Sequence, residues 1–510
     1  MNVLAWTIYS SFLGAGVLLF LPRKNAAAAR RVALIIALVG VVCGLIGATN
    51  IEPGTIQTVT RVPWIPSLGI EYYLAADGIS ATLVVLTGMA AVAGILFSWN
   101  IEERAPEFFA FYLALIGGVY GVFLSFDAFL LFVFYEIAII PKYFIIAIWG
   151  STRREYGAMK LALYSFVGSA MVLIVLIAAF VVSGGKSMSL LELAKFPFPH
   201  TFQLWAFPLA FVGFGILAGL WPFHTWAPTG HVAAPTAASM LLAGVVMKLG
   251  AYGCLRVAMT LFPEGLDPWA WKVLGLGSWR DLLSVLAVVG IVYGALVALV
   301  QNDFKFVIGY SSVSHMGFVL LGLMTLNRIG LSGSVLQMFS HGIIAGLLFA
   351  VVGRMVYDRT HTRELADLGG MNLGHAIPFA AVTFTVASIA SMGLPGFSGF
   401  VAELQVLIGA WESYPSLAIV TGLGILVGVA YTLRVLQKAF FSDEEAVPAV
   451  AGNGGHQTEL KTISVPERIG AALLIMASLV IGLYPRLLLD LIGPSFSSAL
   501  FEGLRKHGTF

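Results

Sequence analysis

Charge is scarce in this 510-residue chain: lysine and arginine number 28 and aspartate and glutamate 26, together 11% of the residues. A net charge of +2, with no basic segment interleaved with aromatics, gives no footing for a nucleic-acid partner. Cysteine is scarcer still. Cys43 and Cys254 lie in or beside apolar stretches, too few for a metal cluster and placed as packing residues rather than as a disulfide. The sequence also lacks a Walker-type lysine loop, a Gly-rich strand-to-helix fingerprint, a CxxC pair and a metal-type histidine cluster. Nucleotide, redox and metal chemistry are therefore expected elsewhere, and no cofactor on this chain.

What is abundant is apolar: 59% of residues are hydrophobic. Runs of about 20 apolar residues, each able to cross a hydrocarbon core of roughly 30 Å, recur along the whole length. The weak ten-residue alternation of a membrane barrel is missing, so an all-α polytopic membrane protein is predicted. Fourteen spans are expected, near 3–21, 32–49, 79–99, 107–125, 127–149, 158–183, 203–226, 233–257, 278–300, 305–325, 331–357, 376–411, 416–440 and 468–491. The first run has no basic residue before it and Arg23 and Lys24 after it, the wrong order for a cleaved signal peptide. Only 50–78, 258–277 and 442–467 are long enough for structured loops, the last reading as mobile and solvated. LLELAKF, within 184–200, reads as an interfacial piece. Sorted by alternate sides, sixteen lysines and arginines fall on one face and ten on the other, Arg256 among the ten. The positive-inside bias puts the sixteen in the cytoplasm and both termini on the opposite side of the membrane.

Two spans are interrupted, at GLWPF around Pro222 and at GLPGF around Pro395, 173 residues apart. With five helices per unit and the fourth broken in each, the second unit would be inverted in the membrane, a plan whose sites lie at the discontinuous helices. This divides the chain into helices one to three (1–105), a first five-helix repeat (106–257), a second, inverted repeat (278–441), and a loop with a final helix (442–510). The alternative is chance recurrence of proline and glycine breaks in a Gly-rich chain.

Ionisable residues deep in apolar segments carry the functional reading: Glu136, Lys142, Lys248 and Glu403. A charge at that depth costs a few kcal/mol or more and marks a protein interior or a wet cavity. Burial and an opposite charge pull a pKa in opposing directions, so such groups take up and release protons as neighbours move. His224, His231, His315 and His341 add groups that titrate near neutral pH, and Lys305 stands at one end of a span. The plainer readings are a static Glu136–lysine pair, histidines bonded to freed carbonyls at the break, and Lys305 and Lys160 as snorkelling anchors. GLGILVG at 422–428 reads as close helix packing.

At AADGIS (75–80), FYEIAIIPKYFIIAIWG (134–150), PFHTWAPTGHVAAPTAASMLLAGVVMKLGAYG (222–253), QNDFKFVIGYSSVSHMG (301–317) and MGLPGFSGFVAEL (392–404), the chain resembles the antiporter-like membrane subunits of respiratory complex I, the chain M type above all. These are related in turn to Mrp-type sodium/proton antiporter subunits. The resemblance implies the fourteen-helix fold with two inverted units, neighbouring antiporter-like subunits and lipids as partners, and proton translocation driven by electron transfer elsewhere. By motif, Glu136 resembles the family's fifth-helix glutamate, Lys248 its central eighth-helix lysine and Glu403 the twelfth-helix glutamate of the chain M type; His224, His231, His315 and His341 also fall on motif positions. One position departs. The family's seventh-helix lysine is Leu217 here, while Lys142 stands where an apolar residue is common. The amine is thus expected to have moved to the fifth helix, although six residues on an unbroken helix point Glu136 and Lys142 about 240° apart, with Pro141 free to bend it.

The expected function is proton movement through these residues within a complex I type NADH-quinone oxidoreductase, with no redox chemistry on this chain. The alternatives are a stand-alone Mrp-type cation/proton antiporter subunit, the membrane subunit of a related energy-converting hydrogenase, and a passive scaffold.

Overall fold

The computed structural model describes residues 3–269, 276–442 and 460–509. Much of the predicted loop 442–467 therefore lies outside the described residues. Helices account for most of the rest. The first three are α1 (Ala5–Leu19), α2 (Ala26–Thr49) and α3 (Gly78–Phe97), and the next three are α4 (Ala105–Leu124), α5 (Ala128–Trp149) and α6 (Arg154–Val182). The first broken span is α7 (His200–Ala218) followed by α8 (Trp226–Ala233), and α9 (Thr236–Met259) comes next. Beyond it lie α10 (Trp279–Val300), α11 (Phe304–Met324) and α12 (Arg328–Thr360). The second broken span is α13 (Pro378–Ser391) with α14 (Ser398–Ser413), and the chain closes with α15 (Pro415–Phe440), α16 (Val465–Leu483) and α17 (Arg486–Ser495).

Among the described residues twelve helices are long and apolar enough to cross a bilayer. The expected total of fourteen needs α1 and α13 as well, which are apolar but only 15 and 14 residues long. The expected last span, 468–491, is divided: α16 stops at Leu483 and α17 begins anew at Arg486. Burial sorts the helices. The apolar stretches of α9 and α12 are wholly enclosed and that of α3 almost so, whereas α2, α6, α15 and α16 present apolar faces outward.

The body is helical as expected, and the loop 50–78 holds a short sheet. Gln57–Ile65 and Ile70–Ala76 pair as an antiparallel hairpin, turning at Gly69 with φ +59°. Two strands rich in Val, Thr, Tyr and Ile suit a pleated, half-buried surface, and a packed helical body supplies the support an isolated hairpin lacks. LLELAKF contributes one turn, Leu190–Leu193, anchored beside the start of α5.

Local structure recurs between the halves. Asp127 caps α5 by accepting from the Phe129 and Leu130 N–H groups, and Asp303 caps α11 by accepting from those of Lys305 and Phe306. Around each cap a returning strand adds two backbone bonds. Ala128 N–H donates to Met188 and Leu190 N–H to Phe126, and Phe304 N–H donates to Arg363 and Leu365 N–H to Asn302. Gly219 (φ +84°) and Gly393 (φ +73°) open the two breaks in the left-handed conformation that a Cβ penalises.

Arg256, sorted from sequence among loop charges, is in fact fully enclosed near the end of α9. Its guanidinium lies 2.5 Å from Asp77 Oδ1, with no side-chain surface exposed on either residue. Phe126, Tyr252 and Phe501 pack around it, the last from the C-terminal segment. A second buried carboxylate, Glu467, ties α16 to the end of α12 through Arg354 at 2.5 Å and Arg359 at 2.8 Å. Such pairs are weak net stabilisers but costly to break on one side. Asp77→Ala should therefore destabilise the protein by about 3–5 kcal/mol, read as a lowered unfolding midpoint in detergent; a midpoint within error of the unaltered protein would show that Arg256 finds water instead.

Candidate functional site

The centre is built where two helices nearly touch. A Cβ on Gly342 would lie 2.6 Å from the Gly244 carbonyl oxygen, so α12 and α9 approach backbone to backbone. Lys248 follows one turn after Gly244, and His341 adjoins Gly342. Between them, the five-residue π turn Leu242–Val246 interrupts the α-helical ladder, a widening common at functional positions. The Lys248 ammonium, fully buried, donates to the Ala243 carbonyl and sits 2.8 Å from His341 Nδ1.

From His341 the polar path runs outward in the plane of the bundle. The His341 and His315 rings stack at 5.4 Å between centroids. His315 Nδ1 lies 3.1 Å from Glu403 Oε1 on α14. Gln337 Nε2 is 3.5 Å from the same carboxylate oxygen and 3.4 Å from the imidazole nitrogen, so it serves the carboxylate when Nδ1–H points there. A cavity of about 10 Å³, bordered by both histidines, Gln337, Ser340 and Glu403, fills the gap that stacking leaves in the hydrogen bonding. It has the volume for one water, with polar side chains at its border. Gly393 presses on the far side: a Cβ there would meet Glu403 Oε2 at 2.7 Å.

On the other flank, Lys305 is 3% exposed and its ammonium donates to the Ala234 carbonyl at 2.6 Å. It ends a cavity of about 150 Å³ whose walls include Ser98, Asn100, Ser151 and Asp358. Lys305 is thus enclosed rather than an anchor. His231 lies within electrostatic reach of both Lys305 and Lys248, stacked on Phe349 at 4.6 Å, its ring nitrogens without partners among the described residues.

Glu136 and Lys142 form a separate group. Lys142 is 1% exposed, its ammonium 3.4 Å from Ser165 Oγ, while Glu136 faces Ser169 one turn along the same α6 face. The two sense each other electrostatically despite the angle that their spacing predicts. The lysine's long stem carries its charge around the helix, and α5 stays continuous through Pro141. No hydrogen bond joins this group to Lys248 among the described residues. Leu217 is buried, its carbonyl carbon 3.0 Å from where a Gly250 Cβ would stand. His224 is not brought into the path. It packs against Tyr293 and Tyr310 at 5.1 and 6.4 Å, with Lys160 the nearest charge acting on it.

Sequence reasoning missed Gln337, Ser391 and the Asp77–Arg256 pair. For the pair a signal existed: Arg256 stands inside the apolar run GCLRVAMTLF, and Asp77 within AADGIS. Gln337 and Ser391 are uncharged and gave none.

The family model for NADH:quinone oxidoreductase/Mrp antiporter membrane proteins matches residues 125–428, which hold Glu136, Lys142, Lys248, Lys305, the four histidines and Glu403. NADH-quinone oxidoreductase subunit M of Rhodobacter capsulatus is 36% identical over 97% of this chain and 95% of its own length. NAD(P)H-quinone oxidoreductase chain 4 3 of Picosynechococcus sp. is 36% identical over 92% and 89%. Among solved structures, a chain of respiratory complex I from Thermus thermophilus with bound NADH superposes with TM-score 0.84 at 27% identity, covering 98% of this chain and 100% of that one. A chain of the Mrp complex from Dietzia sp. shares the fold, with TM-score 0.83 at 20% identity over 98% of each. With a buried run of ionisable side chains inside such a fold, and relatives of this extent, the chain belongs to the antiporter-like membrane subunits of NADH-quinone oxidoreductase, the subunit M type.

Proposed function

We propose that this chain translocates protons as one subunit of a complex I type quinone oxidoreductase in the bacterial inner membrane, beside other antiporter-like subunits that together with lipids cover its outward apolar faces. The redox groups belong to other subunits, and this chain carries no cofactor. Both termini lie on the periplasmic side by the bias of its loop charges, and the units 106–257 and 278–441 are inverted copies. The observation that carries the reading is the buried sequence Lys248, His341, His315, Glu403, in which each neighbour lies at hydrogen-bond or ring-stacking distance.

Protons enter through the cavity that ends on Lys305, pass His231 to Lys248, and leave by the two stacked histidines to Glu403. His224 stays with the break rather than the path. Glu136 and Lys142 set the affinity of Lys248. With their pair closed, Lys248 feels less carboxylate and releases its proton more readily; with the pair open it holds the proton. One pKa unit corresponds to 1.36 kcal/mol, so small movements suffice. Lys142, from α5, takes the part that the family pattern gives to a lysine at the position of Leu217.

Relatives named as quinone oxidoreductase subunits at 36% identity favour this reading over a stand-alone exchanger. In vesicles holding the assembled complex, Lys248→Met should lower proton pumping by roughly 10²-fold, as removal of a proton-transfer group does; near-normal pumping would sink the scheme. Lys142→Met should lower it by about tenfold, a change of about 1.4 kcal/mol in barrier, and adding Leu217→Lys should restore most of the loss. Failure of that restoration would leave Lys142 a packing or register residue.

A further inference from the structure

Glu403 has a second polar side that the path above does not use. Three cavities of about 10 Å³ each, room for a single water, adjoin one another there, the first two bordered by Glu403 and the third reached through residues they share. Ser391 borders all three, Tyr431 of α15 borders the second and third, and Ser311 the first and third. Bonds already span part of the row. His315 Nε2 is 3.2 Å from Ser391 Oγ, and the Tyr431 hydroxyl donates to Ser311 Oγ at 2.6 Å. The Ser388 hydroxyl on the third cavity is fully buried yet without a partner among the described residues. A buried hydroxyl without a partner is unfavourable, and an ordered water removes that penalty.

The row has a direction. From Glu403 it runs along α11 and α13 back toward their first turns, the end at which Lys305 also lies. Phe384 borders the last cavity, and Phe304 and Phe440 pack with it as three buried rings with centroids 5.0–6.3 Å apart. GLGILVG, read from sequence as a packing stripe, has two uses here. Gly424 does pack closely, since a Cβ there would lie 2.7 Å from Ile291, but a Cβ on Gly428 would meet only Tyr431, at 3.9 Å, so that glycine keeps the second cavity open.

Resting on the proton-translocation reading above, we infer that Ser391, Ser388, Ser311 and Tyr431 hold a chain of waters that gives Glu403 its own proton connection to the Lys305 end of the bundle, closed there by the three phenylalanines. Each hydroxyl or water accepts a proton on one side as it releases its own on the other, so no group along the row changes its net charge when a proton has passed. Glu403 then exchanges protons with two routes, one through His315 and Lys248 and one through Tyr431.

The test uses vesicles containing the whole complex, with pumping rate and its slowing in D2O as readouts and the amount of assembled complex measured alongside. Tyr431→Phe and Gly428→Ala should each lower pumping by roughly tenfold and raise the D2O effect, whereas Gly422→Ala, where a Cβ meets nothing within 4 Å, should change neither. Unaltered pumping in either Tyr431→Phe or Gly428→Ala, while Glu403→Gln fails to pump, overturns the branch and spares the main path. Normal pumping in Glu403→Gln removes the parent reading and the branch with it. A map of the unaltered complex resolving waters should place one in each cavity; dry cavities also overturn the branch.

Discussion

The constraint behind this structure is that a charge cannot stand in hydrocarbon without a protein partner. Lys248, Arg256, Lys142, Lys305 and Glu403 are each buried, and each is met from another part of the chain. Meeting them requires helices to come closer than large side chains allow. The backbone contact of Gly244 with Gly342 does this at the centre, and π turns in α9 and α12 adjust side-chain register along the same two helices. The two most enclosed helices, α9 and α12, both carry such turns, while α2 and α6 face outward.

These partnerships divide into two kinds. Arg256 with Asp77, and Glu467 with Arg354 and Arg359, are direct ion pairs that join distant segments. They fix the bundle. Lys248 and Lys305 instead meet an imidazole and carbonyl oxygens, which satisfy an ammonium without cancelling its charge. Only the second kind leaves a group free to give up its proton, which is why the proposed path runs through lysines and histidines.

Much of this was legible in the sequence because burial of charge in apolar runs is a one-dimensional signal. Glu136, Lys142, Lys248 and Glu403 stand out by that test, as do the breaks at Pro222 and Pro395. What the pattern could not supply was direction around and between helices. Lys142 turns toward α6 because its stem is long, not because of its spacing from Glu136. Arg256 looked like a loop charge because it lies near a span end; only the fold brings Asp77 to it. The hairpin at 57–76 was masked by the hydropathy of its surroundings, and hydroxyls such as Ser391 and Tyr431 blend into apolar helices. His224, which shares the motif of its neighbours, ends up packed against Tyr293 and Tyr310, a placement that its spacing in the sequence does not specify.

The glycine at the second break has a mechanical meaning. Gly393 places bare main chain against the Glu403 carboxylate, with no side chain between them to absorb displacement. Any flexing of the joint between α13 and α14 must therefore push or release that carboxylate directly. Bending at this joint and the position of the carboxyl group thus become one coordinate, and the second break is where the shape of the bundle and its electrostatics are tied together.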